Sequence, residues 1–118
     1  MNIKEEFNLQ IRDWQTKLNE DEWFFARLHN HLTNGLNPED AFNHIPDVVD
    51  LVLEKSDQYL CSESFELLIT LARISNTTEV HPKLENNWDA LIKHVSGFGI
   101  YHKTRTIELS KWYHKLPK

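Results

Sequence analysis

Cysteine is almost missing from this chain of 118 residues. Its single Cys61 has no intramolecular partner for a disulfide and cannot build a cysteine-rich zinc site. Glycine (three) and proline (four) are too scarce for a disordered, collagen-like or turn-rich all-β chain. Apolar runs such as Leu51-Val52-Leu53 fall far short of the roughly 20 residues that span a bilayer, so no membrane segment is expected. The opening Met1-Asn2-Ile3-Lys4-Glu5-Glu6 has neither an apolar stretch nor a small-residue cleavage site. Export is therefore not expected, and a reducing cytoplasm is the expected location. What is present is ordinary for a globular chain: 40% hydrophobic and 26% charged residues. The length suits one domain, 1–118, able to bury roughly two-thirds of its unfolded surface.

Charge of one sign is also lacking locally. Residues 1–66 carry fourteen carboxylates against five basic side chains, a balance of −9, whereas residues 67–118 carry four against eight, a balance of +4. Such a distribution bears on partners rather than on fold. An acidic front half disfavours nucleic acid there and suits a basic protein partner.

The apolar spacing is helical almost throughout. Ile3, Phe7, Ile11, Trp14 and Leu18 predict one amphipathic helix of about four turns, and a second spans roughly 21–34 before Gly35. Asn37-Pro38-Glu39-Asp40 is a strong start signal, with a capping Asn, a proline at the first helical position and two carboxylates facing the dipole. That helix is expected to end near His44, because Ile45 precedes Pro46. A fourth helix is expected from Pro46 or Asp47 to about Asp57, its valines making a strand the competing reading. A fifth opens at Ser62-Glu63-Ser64-Phe65 and runs to Ser75. After a polar loop over 75–82, Leu84, Trp88, Leu91, Ile92 and Val95 mark a sixth, broken by Gly97 and Gly99. A last segment covers roughly 104–114. Six or seven helices without strands predict an all-α domain, a helical bundle or a short α-solenoid-like stack.

Chemical signatures are sparse. Of seven histidines, His29 and His31 diverge by about 200° on a helix, and none of the others pairs at i, i+4, so no metal site is expected. Cys61 precedes a predicted helix start, where a thiolate would be stabilised, but a free cysteine is more often packing. No glycine-rich phosphate loop appears. Neither catalysis nor a cofactor is expected. Asp47, Asp50, Glu54 and Asp57, spaced three, four and three apart, fall on one helical stripe, either a solvated face or a docking surface for a basic partner. Glu20, Asp21 and Glu22 add to that acidic surface. In Trp23-Phe24-Phe25 the three side chains span about 200° of a helix, so at least one faces outward, and Trp23 beside the acids is the candidate interface anchor. Trp14, Trp88 and Trp112 fall on apolar stripes and are expected in the core. Lys103, Arg105, Lys111, Lys115 and Lys118, interleaved with Tyr101, Trp112 and Tyr113, form the one stretch able to contact nucleic acid.

The order of Phe65-Glu66-Leu67-Leu68-Ile69-Thr70-Leu71-Ala72, then Ser75-Asn76-Thr77-Thr78-Glu79 with Pro82, then Asn87-Trp88-Asp89 with Leu91, and finally Glu108-Leu109-Ser110-Lys111-Trp112-Tyr113 resembles small all-helical bacterial immunity proteins. Those proteins neutralise polymorphic or contact-dependent toxins. The resemblance covers residues 65–113 and carries no functional residue across. It implies a cytoplasmic, non-enzymatic inhibitor of one cognate toxin domain. The alternative expectation is a helical regulatory or adaptor domain that contacts nucleic acid through its basic C-terminal segment. An exposed aromatic patch would equally serve a homo-oligomer.

Overall fold

The helical periodicity resolves into eight helices and no strand among residues 2–115, which the computed structural model describes. In chain order these are α1 (Ile3–Gln10), α2 (Trp14–Glu20), α3 (Phe24–Thr33), α4 (Pro38–Glu54), α5 (Gln58–Ser75), α6 (Pro82–Asn86), α7 (Trp88–Ser96) and α8 (Ile100–Trp112). The all-α expectation therefore holds.

The centre is the α4–α5 hairpin. Residues 55–57 leave room for little more than a reversal, so the two long helices lie against each other. On α4, Ala41, Ile45, Val48, Val49, Leu51 and Val52 are all buried, and on α5 Cys61, Phe65, Leu67, Leu68 and Leu71 face them in one core. Ile3 and Phe7 of α1 pack on α4, and Phe25, Leu28 and Leu32 make the buried stripe of α3. The second hairpin, α7–α8, contributes Leu91, Val95 and Leu109 from the other side. The molecule measures 44 × 33 × 19 Å, its thin dimension matching two helix diameters.

Helix boundaries differ from expectation at five places. The first helix breaks at Asp13, which adopts a left-handed conformation (φ 58°) that short polar side chains tolerate. Lys17 Nζ then donates to the Gln10 carbonyl at 2.8 Å, satisfying a group that the break exposes. Pro46 does not end a helix but sits inside α4. An interior proline costs about 3 kcal/mol through its missing N–H and its clash with the preceding turn. The completely buried Ile45, Val48, Val49 and Val52 on both sides outweigh that cost, since each buried aliphatic side chain is worth roughly 1.5–3 kcal/mol. The fifth helix opens at Gln58 rather than Ser62, because Asp57 caps it by accepting the Leu60 N–H at 2.9 Å. Ser64 is buried instead, its hydroxyl donating to the Cys61 carbonyl at 3.0 Å. The sixth predicted helix is two, α6 and α7, divided at Asn87, and α8 starts at Ile100 after Gly99 turns the chain at φ 138°. Elsewhere expectation and structure agree: Asn37 caps α4 by accepting the Asp40 N–H at 2.8 Å, with Pro38 at the first position.

Candidate functional site

The acidic stripe of α4 keeps three of its four members. Asp47, Asp50 and Glu54 share one face of the helix, whereas Asp57 lies off that stripe, beyond the helix end, as the exposed cap of α5. Two of the remaining three are engaged within the chain. Lys83 of α6 reaches Asp50 at 3.1 Å, and Lys4 of α1 pairs with Glu54. The Glu54 hydrogen bond pushes the Lys4 ammonium up from its ordinary value, with the charges of Asp50 and Asp47 adding to it. On this face the carboxylates fasten α1 and α6 to α4.

The corner between α2 and α3 is built differently. Asp21 ends α2 in extended backbone, accepts the Trp23 N–H at 3.0 Å through Oδ1, and pairs with Arg27 at 3.0 Å through Oδ2. Its main-chain carbonyl also accepts the Phe24 N–H at 3.0 Å. Asp21 thus fixes the turn that launches α3. Glu20 and Glu22 on either side are exposed, and among the described residues neither has an ion-pair partner. Trp23 stands 61% exposed, whereas Phe24 is half-buried and Phe25 buried. Trp23 precedes the helix as its N-cap, while Phe24 and Phe25 on the first turn of α3 divide between the flank and the core. A large indole held outward on a fixed backbone turn, just after two exposed carboxylates, is the most conspicuous surface feature of the front half.

A third cluster escaped the sequence reading. Trp14, expected in the core, is half-buried and stacks on Tyr59 of α5, with centroids 5.1 Å apart and planes 15° from parallel. Phe25 touches both rings, at 6.0 and 5.4 Å. Tyr59 leads to a cleft of about 310 Å³ between the first turns of α5 and α8, lined by Gln58, Tyr59, Ser62, Glu63, Tyr101 and His102. Tyr59 and Glu63 are four apart and so share a face of α5, the only signal of this cluster that the sequence held. Burial, then Glu63 and Tyr101, push the Tyr59 phenol up from its ordinary value.

The histidines act as clips. His94 Nε2–H donates to the Lys55 carbonyl at 2.8 Å and His102 Nε2–H to the Gln58 carbonyl at 2.9 Å, fastening α7 and α8 to the α4–α5 turn. His81 Nδ1 accepts the Lys83 N–H and caps α6, and His29 meets Glu63 at 3.2 Å. Among the described residues no three His, Cys, Asp or Glu side chains gather as a metal site would require. Cys61 is wholly buried and burial pushes its thiol up to about 11, which makes it packing rather than a nucleophile.

The basic C-terminal stretch is divided. Arg105 makes a two-pronged pair with Glu66 of α5, one prong at 2.9 Å, and Lys115 pairs with Glu85 at 2.8 Å. Lys103 and Lys111 are exposed, and Lys118 lies outside the described residues. Tyr113 is buried and Trp112 half-buried, its indole N–H donating to the Thr77 carbonyl at 3.0 Å. Trp88 is half-buried as well, edge-on to Tyr113 with Lys115 over its ring. The pairing takes up Arg105 and Lys115, leaving Lys103 and Lys111 as the exposed lysines of the stretch among the described residues and Tyr101 as its exposed ring.

No family model matches the chain, and neither the curated proteins nor the solved structures yield a match. Among the described residues no helix is long and apolar enough to cross a membrane. The arrangement offers surfaces for recognition: an acidic corner bearing one exposed tryptophan, and an aromatic cleft with a carboxylate in its wall.

Proposed function

We propose that this chain is a non-enzymatic immunity protein that neutralises a bacterial toxin domain with a basic surface. Trp23, 61% exposed and directly following the exposed carboxylates of Glu20 and Glu22, which have no ion-pair partner among the described residues, is the observation that carries the reading. Protein interfaces draw most of their affinity from a few aromatic or arginine anchors, and complementary charge around an anchor speeds encounter and rejects wrong partners. A flat molecule 19 Å thick, with its core closed by the α4–α5 hairpin, suits a role of covering a partner's surface. The resemblance of residues 65–113 to small helical immunity proteins supplies the toxin as the partner class, and the acidic front half supplies its charge.

The test is a growth assay in a surrogate bacterium. The C-terminal domain of the protein encoded immediately upstream is induced with and without this chain. Toxicity relieved by the wild-type chain, and relieved at least tenfold less well by Trp23→Ala, is the expected result. A harmless upstream product, or killing that the wild-type chain leaves untouched, overturns the immunity reading.

A further inference from the structure

We infer that the cleft between the first turns of α5 and α8 is a receptor for a single arginine or lysine side chain of a protein partner. Its walls are two exposed phenol rings, Tyr59 (40% exposed) and Tyr101 (60% exposed), and the Glu63 carboxylate stands one turn along α5 from Tyr59. Aromatic faces carry negative potential and attract guanidinium and ammonium groups within about 6 Å of the ring centroid. The carboxylate decides the sign of the occupant. An anion would meet like charge at Glu63, and a purely apolar group would strip water from that carboxylate without replacing its hydrogen bonds. A planar guanidinium satisfies both, stacking on phenol rings while its five N–H donors reach carboxylate, hydroxyl and amide oxygens. Glu63, Ser62 and Gln58 supply those oxygens around the cleft.

The walls are held before any ligand arrives. Trp14 and Phe25 fix the Tyr59 ring from behind, and His102 ties the start of α8 to the Gln58 carbonyl at 2.9 Å. His29, 3.2 Å from Glu63 Oε2, positions the carboxylate. Preorganisation of this kind removes much of the ordering cost of binding. The inference deepens the proposed function, since it rests on a partner with a basic surface; it assigns that partner's arginine or lysine a second seat, apart from the Trp23 corner.

The experiment titrates N-acetyl-arginine-methylamide into the full chain and follows aromatic and carboxylate resonances by NMR. The neutral isostere N-acetyl-citrulline-methylamide serves as control. Saturable shifts at Tyr59, Tyr101 and Glu63 are expected, with a Kd on the order of several mM for so small a probe. Citrulline should bind at least fivefold more weakly. Tyr101→Leu, at an exposed position that does not threaten folding, should abolish saturation, and Glu63→Gln should weaken binding about threefold or more. Equal response to arginine and citrulline, or no saturable shift, overturns the inference. So do concentration-dependent shifts of the same resonances without probe, which would make the face a contact between copies of this chain. The probe contains no toxin, so failure of the growth assay and failure of this titration are distinguishable.

Discussion

On α4, Asp50 and Glu54 are drawn into pairs with Lys83 and Lys4, whereas at the α2–α3 corner Glu20 and Glu22 lead into an exposed Trp23 and have no ion-pair partner among the described residues. Both groups are runs of carboxylate on helical elements of the acidic half. They differ in what lies opposite. The α4 face meets the N-terminal turn of α1 and the helix α6, each delivering a lysine, while the corner projects from the short α2 and the start of α3 and faces water. A carboxylate stripe therefore becomes structural where other elements pack beside it and stays available for a partner where none does. Exposed pairs of the first kind are worth at most about 1 kcal/mol each, so they orient α1 and α6 more than they stabilise them.

The sharpest way to separate sealed from open regions is to truncate a side chain in each. Phe65→Ala, at a wholly buried site on α5, is expected to cost about 3–5 kcal/mol in urea unfolding. Trp23→Ala should stay within about 0.5 kcal/mol of wild type, as exposed substitutions do. A large loss at Trp23 would make the corner part of the core and break the comparison.

Alkaline titration reads the sealed side most strongly. Burial holds the Cys61 thiol at about 11 against an ordinary 9.0, and the Tyr113 phenol at about 12 against 10.0. Both groups are neutral in the fold at pH values where the unfolded chain has already lost its proton. Their stabilisation is therefore complete below about pH 9 and is lost as pH rises towards 12. Two units correspond to roughly 2–3 kcal/mol for each group. Urea midpoints from pH 8 upward should fall, and Cys61→Ala and Tyr113→Phe should each flatten its own part of the decline. A flat profile in the wild type would place these groups in water.

Asp57 separates capping from docking. Asp57→Ala should destabilise the protein by about 1 kcal/mol, the usual value of an N-cap, and leave toxin binding unchanged. A binding loss without a stability loss would restore it to the docking surface. On α4, Asp50→Asn with Glu54→Gln should lower stability by no more than about 1 kcal/mol by the same urea assay. Charge reversal there is the poorer probe, because lysines at 50 and 54 would also repel Lys83 and Lys4.

Much of this architecture was legible in the sequence. Period-3.6 spacing, the Asn37-Pro38 start and the run from Phe65 to Ile74 placed the helices and the central, mostly buried α5. What was hidden followed from tertiary contacts. Nothing at Ile11-Arg12-Asp13 signals a break, since no glycine or proline stands there; the break exists because Lys17 and α3 receive the chain after it turns. Pro46 carries a strong stop signal that burial on both sides of α4 overrides. Helical geometry required one of Trp23, Phe24 and Phe25 to face outward, and the acids beside Trp23 singled it out. The cleft was not legible, because Tyr59, Glu63 and Tyr101 come from two helices some 40 residues apart, and only the fold brings them together.

The central claim is that the open corner, not the sealed stripe, meets the partner. The direct measurement is the affinity for the toxin domain of two charge variants of the full chain, Glu20→Lys with Glu22→Lys and Asp50→Asn with Glu54→Gln, at low and moderate salt. The account predicts that the first pair weakens binding at least tenfold and flattens its salt dependence, while the second stays within about twofold of wild type. The opposite ranking would contradict it.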